Sequence, residues 1–469
     1  MLRIRLHPAC VVVVAVLLLF VARQGRSLQV QVPSANSALP LRDQTLAPVV
    51  DESPVILPTA GLIDERRFFS SMRHPAIEYP DRQTNDAVAE LARKVEDGTV
   101  QLRFDKDSGF LLSVLEALHV PVETQSMLFS KTSLQSHYIS PTNPRALFYT
   151  DEVSVGFIRG APLLELSAFD PQQAVVFYAI DQRQAGRPEI IRHDSCLSCH
   201  LSNKTLGVPG LLLRSVGSGT EGETLTQFGD YTSDHRSPFE QRWGGWFITG
   251  RTGANRHMGN TLLAANGAAS TAGFPATLPS LEGRFDPTGY PWRYSDVAAV
   301  LVLNHQGQMT NLLTRVGWET RIALHQAMKN PQDRESAERL IAADARELVD
   351  YILFVDEARF AGKFESTTDF QMKFAAGAPR DKRGRSLKQL DLERRLLRYP
   401  CSYMIYSRAF DALPSAAKDA IYERLWAVLS GTDKARKYSK LSPDDRAAIV
   451  SILLDTKPGL PTYFRRLEK

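Results

Sequence analysis

The sequence predicts an α+β protein in three consecutive parts: a strand-rich meander toward the N-terminus, a loop-rich middle, and a helical C-terminal region. Short apolar, partly β-branched segments at 145–150, 153–158, 163–168 and 174–180 are separated by Asp151-Glu152, Gly160-Ala161-Pro162 and Asp170-Pro171, the punctuation of a strand meander. Residues 190 to about 290 are glycine-rich and hold few helical stretches of useful length. A region of that size without regular structure usually wraps something or carries function. In the last third, apolar residues recur at helical spacing, as in Leu340, Ile341, Leu348, Val349, Ile352 and Leu353 within 331–360.

Individual elements follow from the same signals. Val88, Leu91, Ala92 and Val95 predict a short helix over 86–95 that ends near Gly98, and 110–120 predicts another. Residues 387–397 continue the helical style. Residues 415–429 carry Ala420, Ile421, Leu425, Trp426 and Val428 and stop at Gly431. Ser442-Pro443-Asp444-Asp445 has the N-cap, the proline at the first helical position and the acidic first turn of a helix start. The organisation expected is a signal peptide at 1–27, a linker or loosely ordered arm at 28–80, a mixed helix and strand region at 81–185, a loop-rich region at 186–290 and a mainly helical region at 291–469.

The chain has 469 residues, 43% hydrophobic and 23% charged, which is ordinary globular composition. The net charge of +4 comes from Arg3, Arg5, Arg23 and Arg26, which share the first 27 residues with no acid. Without those four, 52 basic side chains face 52 acidic ones, so the remainder has neither the charge of a nucleic-acid binder nor that of a polybasic membrane binder. Arg3, Arg5 and His7 followed by the apolar run 9–22 read as an export signal, too short for a comfortable crossing that needs about 20 residues. Left uncleaved, it would serve as an N-terminal membrane anchor. Either way the rest of the chain is expected outside the cytoplasm, with the periplasm as the expected compartment.

Four cysteines are too few for a disulfide scaffold, and their placement is informative. Cys196-Leu197-Ser198-Cys199-His200 is C-x-x-C-H. Two thiols three positions apart are placed to add to the two vinyl groups on one edge of a haem. The next histidine then lies under the ring and can bind iron through an imidazole nitrogen. A thioredoxin-type redox pair would need a strand-to-helix turn in a βαβ unit, and the preceding residues show none. A zinc site would need two more ligands at suitable spacing. A structural disulfide between the two thiols is the remaining alternative.

The stretch 196–200 resembles the haem-attachment signature of c-type cytochromes, and residues 190–265 are similar to the single-haem, class I pattern. Gly207-Val208-Pro209-Gly210-Leu211 stands where that family often has a proline-containing turn beside the haem. The resemblance implies one covalently bound haem c, with Cys196 and Cys199 as tethers and His200 as the proximal iron ligand. It also implies a methionine as the distal ligand, and Met258 stands 58 positions after His200. The flanking regions carry no such resemblance.

Around this segment several residues compete for roles. His257, adjacent to Met258, is the alternative distal ligand; His193 and His235 are further ones, and an open or water-bound position is another. A thioether would raise the potential, whereas a second imidazole would lower it. Arg214, Arg236, Arg242 and Arg256 are candidates to pair with haem propionates. Trp243 and Trp246 are candidates to pack on the porphyrin edge. His235 and Arg236 beside an open iron position would suit peroxide cleavage, as base and as cation. Cys401 reads as a buried unpaired thiol, and Asp356 and Glu357 as capping or salt-bridged residues. The basic stretch 380–398 reads as a solvated face or a docking patch for an acidic partner. The first reading is an exported monohaem cytochrome that exchanges single electrons with a redox partner protein. The alternatives are a haem peroxidase or oxygenase with an open distal site, and a haem-based sensor.

Overall fold

Asp86 opens the first well-formed helix, α1 (Ala87–Glu96): its carboxylate accepts the backbone N–H groups of Val88 and Ala89 at 2.9 and 3.0 Å. The computed structural model describes residues 71–468 apart from 184, 185, 271, 272 and 274. The signal expected at 1–27, and the arm expected at 28–80 as far as residue 70, lie outside the described residues. The helix expected at 110–120 is the shorter α2 (Leu111–Ala117), because the chain turns at His119, where φ is 52°.

The meander is present. After β1 (Ser126–Leu128) come β2 (Arg145–Tyr149), β3 (Val153–Phe157), β4 (Leu163–Asp170) and β5 (Ala174–Asp181), then the short β6 (Ile190–Arg192). The loop-rich middle contains α3 (Leu197–His200), a two-stranded ribbon of β7 (Arg214–Val216) and β8 (Asp230–Thr232), and β9 (Trp246–Phe247). The main sheet runs β6-β5-β4-β3-β2-β1-β9, and every pairing is antiparallel. Register aligns Leu147, Gly156 and Glu165 in one row across β2, β3 and β4. Tyr149, Ser154, Ser167 and Phe177 form the next row. Side chains two apart on a strand share a face, so these rows form one continuous patch.

The last third is helical, built on α4 (Val297–Lys329), α5 (Arg334–Ile352), α6 (Phe370–Ala376), α7 (Arg408–Asp411), α8 (Ser415–Leu429) and α9 (Pro443–Thr456). Helix α4 is buried on nearly all sides over its first six turns. An element buried on nearly all sides, with Asn304, His305, Gln306 and Asn311 among its buried residues, shows no clean amphipathic period, so its sequence does not announce it. Asp296 starts it by accepting the Ala298 N–H at 2.8 Å, while its other oxygen accepts the hydroxyls of Ser366 and Thr368 at 2.7 and 2.8 Å. Ser442 caps α9 through the Asp445 N–H at 3.0 Å, as its sequence predicts. The stretch 387–397 is not helical: it is a turn closed by a bridge between Leu390 and Leu397, with Leu392 at φ 59°. Five of its neighbourhood's cations pair within the chain: Lys382 with Asp455, Arg385 with Asp381, Lys388 with Asp151, Arg394 with Asp391 and Arg395 with Asp445.

One hydrophobic core runs from Met72 to Phe464 and draws on all three regions. Among the described residues, no helix is long and apolar enough to cross a membrane.

Candidate haem site

Strand β6 delivers the C-x-x-C-H segment to the edge of the sheet. Arg192 pairs with Tyr178, the His193 N–H donates to the Phe177 carbonyl at 2.8 Å, and a tight turn leads into α3. Leu197 is buried and anchors this turn of helix. Positions i, i+3 and i+4 of a helix share a face, so Cys196, Cys199 and His200 emerge together on one side.

All three open onto one cavity of about 170 Å³ whose mouth reaches solvent. Its wall is mainly apolar, with Leu128, Leu147, Phe177, Leu213, Trp246 and Leu303 among its side chains. The two residue rows of the sheet form its floor.

The His200 ring packs on Phe177 with centroids 4.8 Å apart, and its Nδ1–H donates to the Gly210 carbonyl at 2.8 Å. Burial holds the imidazole below its ordinary pKa; the Gly210 contact acts in the opposite direction and Arg145 adds to the lowering. A ring fixed in this tautomer keeps a bare Nε2, which is how metal-binding histidines are oriented by a backbone carbonyl. The acceptor is itself held. Asn311 on α4 accepts the Leu211 N–H at 2.7 Å and donates to the Leu211 carbonyl at 2.8 Å. A Cβ on Gly210 would lie 2.3 Å from the Asn311 Oδ1, so this close approach requires glycine. Asn311→Ala is expected to strand two backbone groups of Leu211 and cost about 2 kcal/mol, measured by denaturant unfolding.

Cys196 is half-buried and Cys199 exposed, and neither is in a disulfide. Burial pushes the Cys196 thiol up to about 11; its Sγ lies 3.7 Å from the His193 Nδ1. Cys401 is a buried free thiol, with burial raising it to about 12.

Two charged groups of the wall were not legible in the sequence. Arg145 reaches across Gly156 to pair with Glu165, whose carboxylate also accepts from Ser133 and Gln135 at 2.9 and 3.1 Å. A Cβ on Gly156 would meet the Arg145 guanidinium at 2.7 Å, so the glycine leaves room for the crossing. Burial opposes ionisation of Glu165, but Arg145 and the two hydrogen bonds outweigh it and hold the carboxyl below its usual range. The available signal was polar alternation, Ser154 and Gly156 on one strand and Glu165 and Ser167 on the next, in a sheet otherwise apolar.

The other expected site residues are placed as follows. Met258 packs beside Ser215, whose hydroxyl lies 3.8 Å from its Sδ, and its N–H donates to the Arg242 carbonyl. The His257 ring packs on Trp243 at 5.0 Å, and burial lowers its pKa to about 4. The His235 Nδ1 lies 2.8 Å from the Nδ1 of His305, and the ring is stacked on Phe354 at 4.4 Å. Arg236 pairs with Asp234 at 2.7 Å over the Tyr351 ring. None of these lines the cavity. Of the four arginines considered for propionates, Arg214 lines it, paired with Asp230 at 2.7 Å. Trp246 lines it and donates its Nε1–H to the Arg214 carbonyl at 2.8 Å. Trp243 is buried and donates to Asn304 at 2.7 Å. Glu357 accepts the Leu396 N–H at 2.7 Å and so holds the 387–397 turn, without capping a helix.

Among the described residues, no group of three or more histidine, cysteine, aspartate or glutamate side chains is placed to hold a bare metal ion. Comparison with protein-family models, curated proteins and solved structures found no match.

Proposed function

We propose that this chain is an exported single-haem c-type protein that exchanges single electrons with a redox partner protein. One observation carries the reading: Cys196, Cys199 and His200 face a single, mainly apolar cavity, and the His200 Nδ1 is already committed to the Gly210 carbonyl. The residues present fit a tethered haem. Each Sγ–H would add across a vinyl double bond, the sulfur bonding to one carbon and the hydrogen going to the other, with no oxidant required. His200 would hold the iron through Nε2. Bound haem supplies a centre that changes by one electron.

The chain's own contribution is placement and environment. Leu128, Leu147, Leu213 and Leu303 exclude water from the wall, and a low dielectric disfavours added charge on the metal. Cys199 is exposed, which puts the tethered edge where a partner protein can approach it. Arg145 and Arg214 are the wall cations nearest in kind to propionate partners, although each already has a carboxylate. The arginine-bearing apolar leader supports export, with the periplasm as the compartment and a membrane anchor if the leader is retained.

The test is to export the full chain from cells competent for haem maturation, and then to titrate its visible spectrum against potential. The expected result is a haem spectrum with one reversible one-electron transition. A purified chain without visible absorbance would overturn the reading.

A further inference from the structure

We infer that this chain supplies one axial ligand only, and that the opposite position on the iron is left to a small uncharged diatomic molecule. The inference rests on the haem reading above.

The chain has ten histidines and eight methionines, and all but His7 and Met1 lie among the described residues. Of those described, His200 is the only histidine that lines the cavity, and no methionine lines it. The thioether of Met258 lies beside Ser215, and the His257 ring is packed on Trp243. His235 and His305 are committed to each other, and the His305 Nε2 lies 2.7 Å from the Ser402 hydroxyl. Tyr149 lines the cavity, but its hydroxyl donates to the Ala299 carbonyl at 2.6 Å. No lysine lines it, and the tethers consume its two thiols.

The wall then decides the ligand class. Its charges are already paired, Arg145 with Glu165 and Arg214 with Asp230, so no unpaired cation is found among its described lining residues. Both members of the first pair line the same cavity as His200 and Cys196. A neutral diatomic meets a mostly apolar wall at little desolvation cost, whereas an anion would be buried without a partner. The His235 and Arg236 side chains that peroxide cleavage would use face His305 and Asp234 instead.

The test uses the full chain purified with its haem. Carbon monoxide is added to the reduced protein and azide to the oxidised one, with Met258→Ala, His257→Ala and Glu165→Gln alongside. The expected result is a five-coordinate parent that takes up carbon monoxide in one phase, with the same spectrum in the Met258 and His257 variants. Glu165→Gln frees the Arg145 charge and is expected to tighten azide binding roughly tenfold. A low-spin parent that refuses carbon monoxide until Met258 or His257 is replaced would overturn the open position while leaving the haem reading intact. Azide affinity unchanged by Glu165→Gln would overturn the selectivity for an uncharged ligand. A colourless chain with both thiols alkylatable would overturn this inference and the haem reading together.

Discussion

Replacing Cys196 and Cys199 together by serine is expected to yield an exported chain that retains no haem through denaturation, where the parent retains one per chain. The two thiols are the only pair that shares a cavity with an imidazole, so no other side chain among the described residues can take over the tether. Stability should fall with them. A tethered haem stays with the chain in the unfolded state too, so the stabilisation comes from the apolar wall of Leu128, Leu147 and Leu303, which the haem would cover only in the folded one. Haem staining after denaturing electrophoresis and thermal unfolding measure the two effects. Cys401→Ser is the control: that thiol is buried elsewhere, so the haem should stay. Retention of haem by the double serine variant would contradict the tether.

The second large effect is a dependence on pH. His235 and His305 are buried against one another, with Tyr351 and Phe354 stacked beside them and Arg236 and Arg242 nearby. Burial depresses both, His235 well below its ordinary value and His305 to about 3. In the unfolded chain each protonates near pH 6.5. Below that pH the unfolded state binds more protons than the folded one, so stability falls as the pH is lowered. The contribution is complete above about 6.5 and is lost progressively toward about 3, where His305 itself takes a proton. Buried acids oppose this: burial raises Glu357 to about 7 and also raises Asp344, Asp86 and Glu152, and all of them favour the fold as the pH drops. A difference measurement separates the terms. Relative to a His235→Phe, His305→Leu double variant, the parent is expected to lose about 3–4 kcal/mol between pH 7 and pH 5, at ~1.4 kcal/mol per pH unit for each histidine. Parallel stability curves for the two chains over that interval would contradict the neutral pair.

How far the sequence announces the fold depends on what each residue must do alone. The strands β2 to β5 and the start of α9 are legible because their signals are local: turn residues between apolar runs, and Ser442 with Pro443 at a helix start. Helix α4 is hidden because the core covers nearly every side of it, and 387–397 mimics a helix while Leu392 adopts a left-handed conformation. At the site, the C-x-x-C-H spacing marks the three side chains that share the cavity. Arg145, Glu165 and Asn311 do not, since each gains its role from a partner distant in sequence: Glu165 lies twenty residues from Arg145, and Leu211 lies a hundred from Asn311. The distal position shows the same limit. Sequence spacing nominates Met258, but spacing does not say which way a thioether faces, and Met258 packs beside Ser215.

The most direct measurement is the mass of the peptide that contains residues 196–200, cut from the exported and denatured chain. It is expected to carry the mass of one haem, with neither thiol reactive toward an alkylating agent. A peptide of unmodified mass, with Cys196 and Cys199 both alkylated, would contradict it.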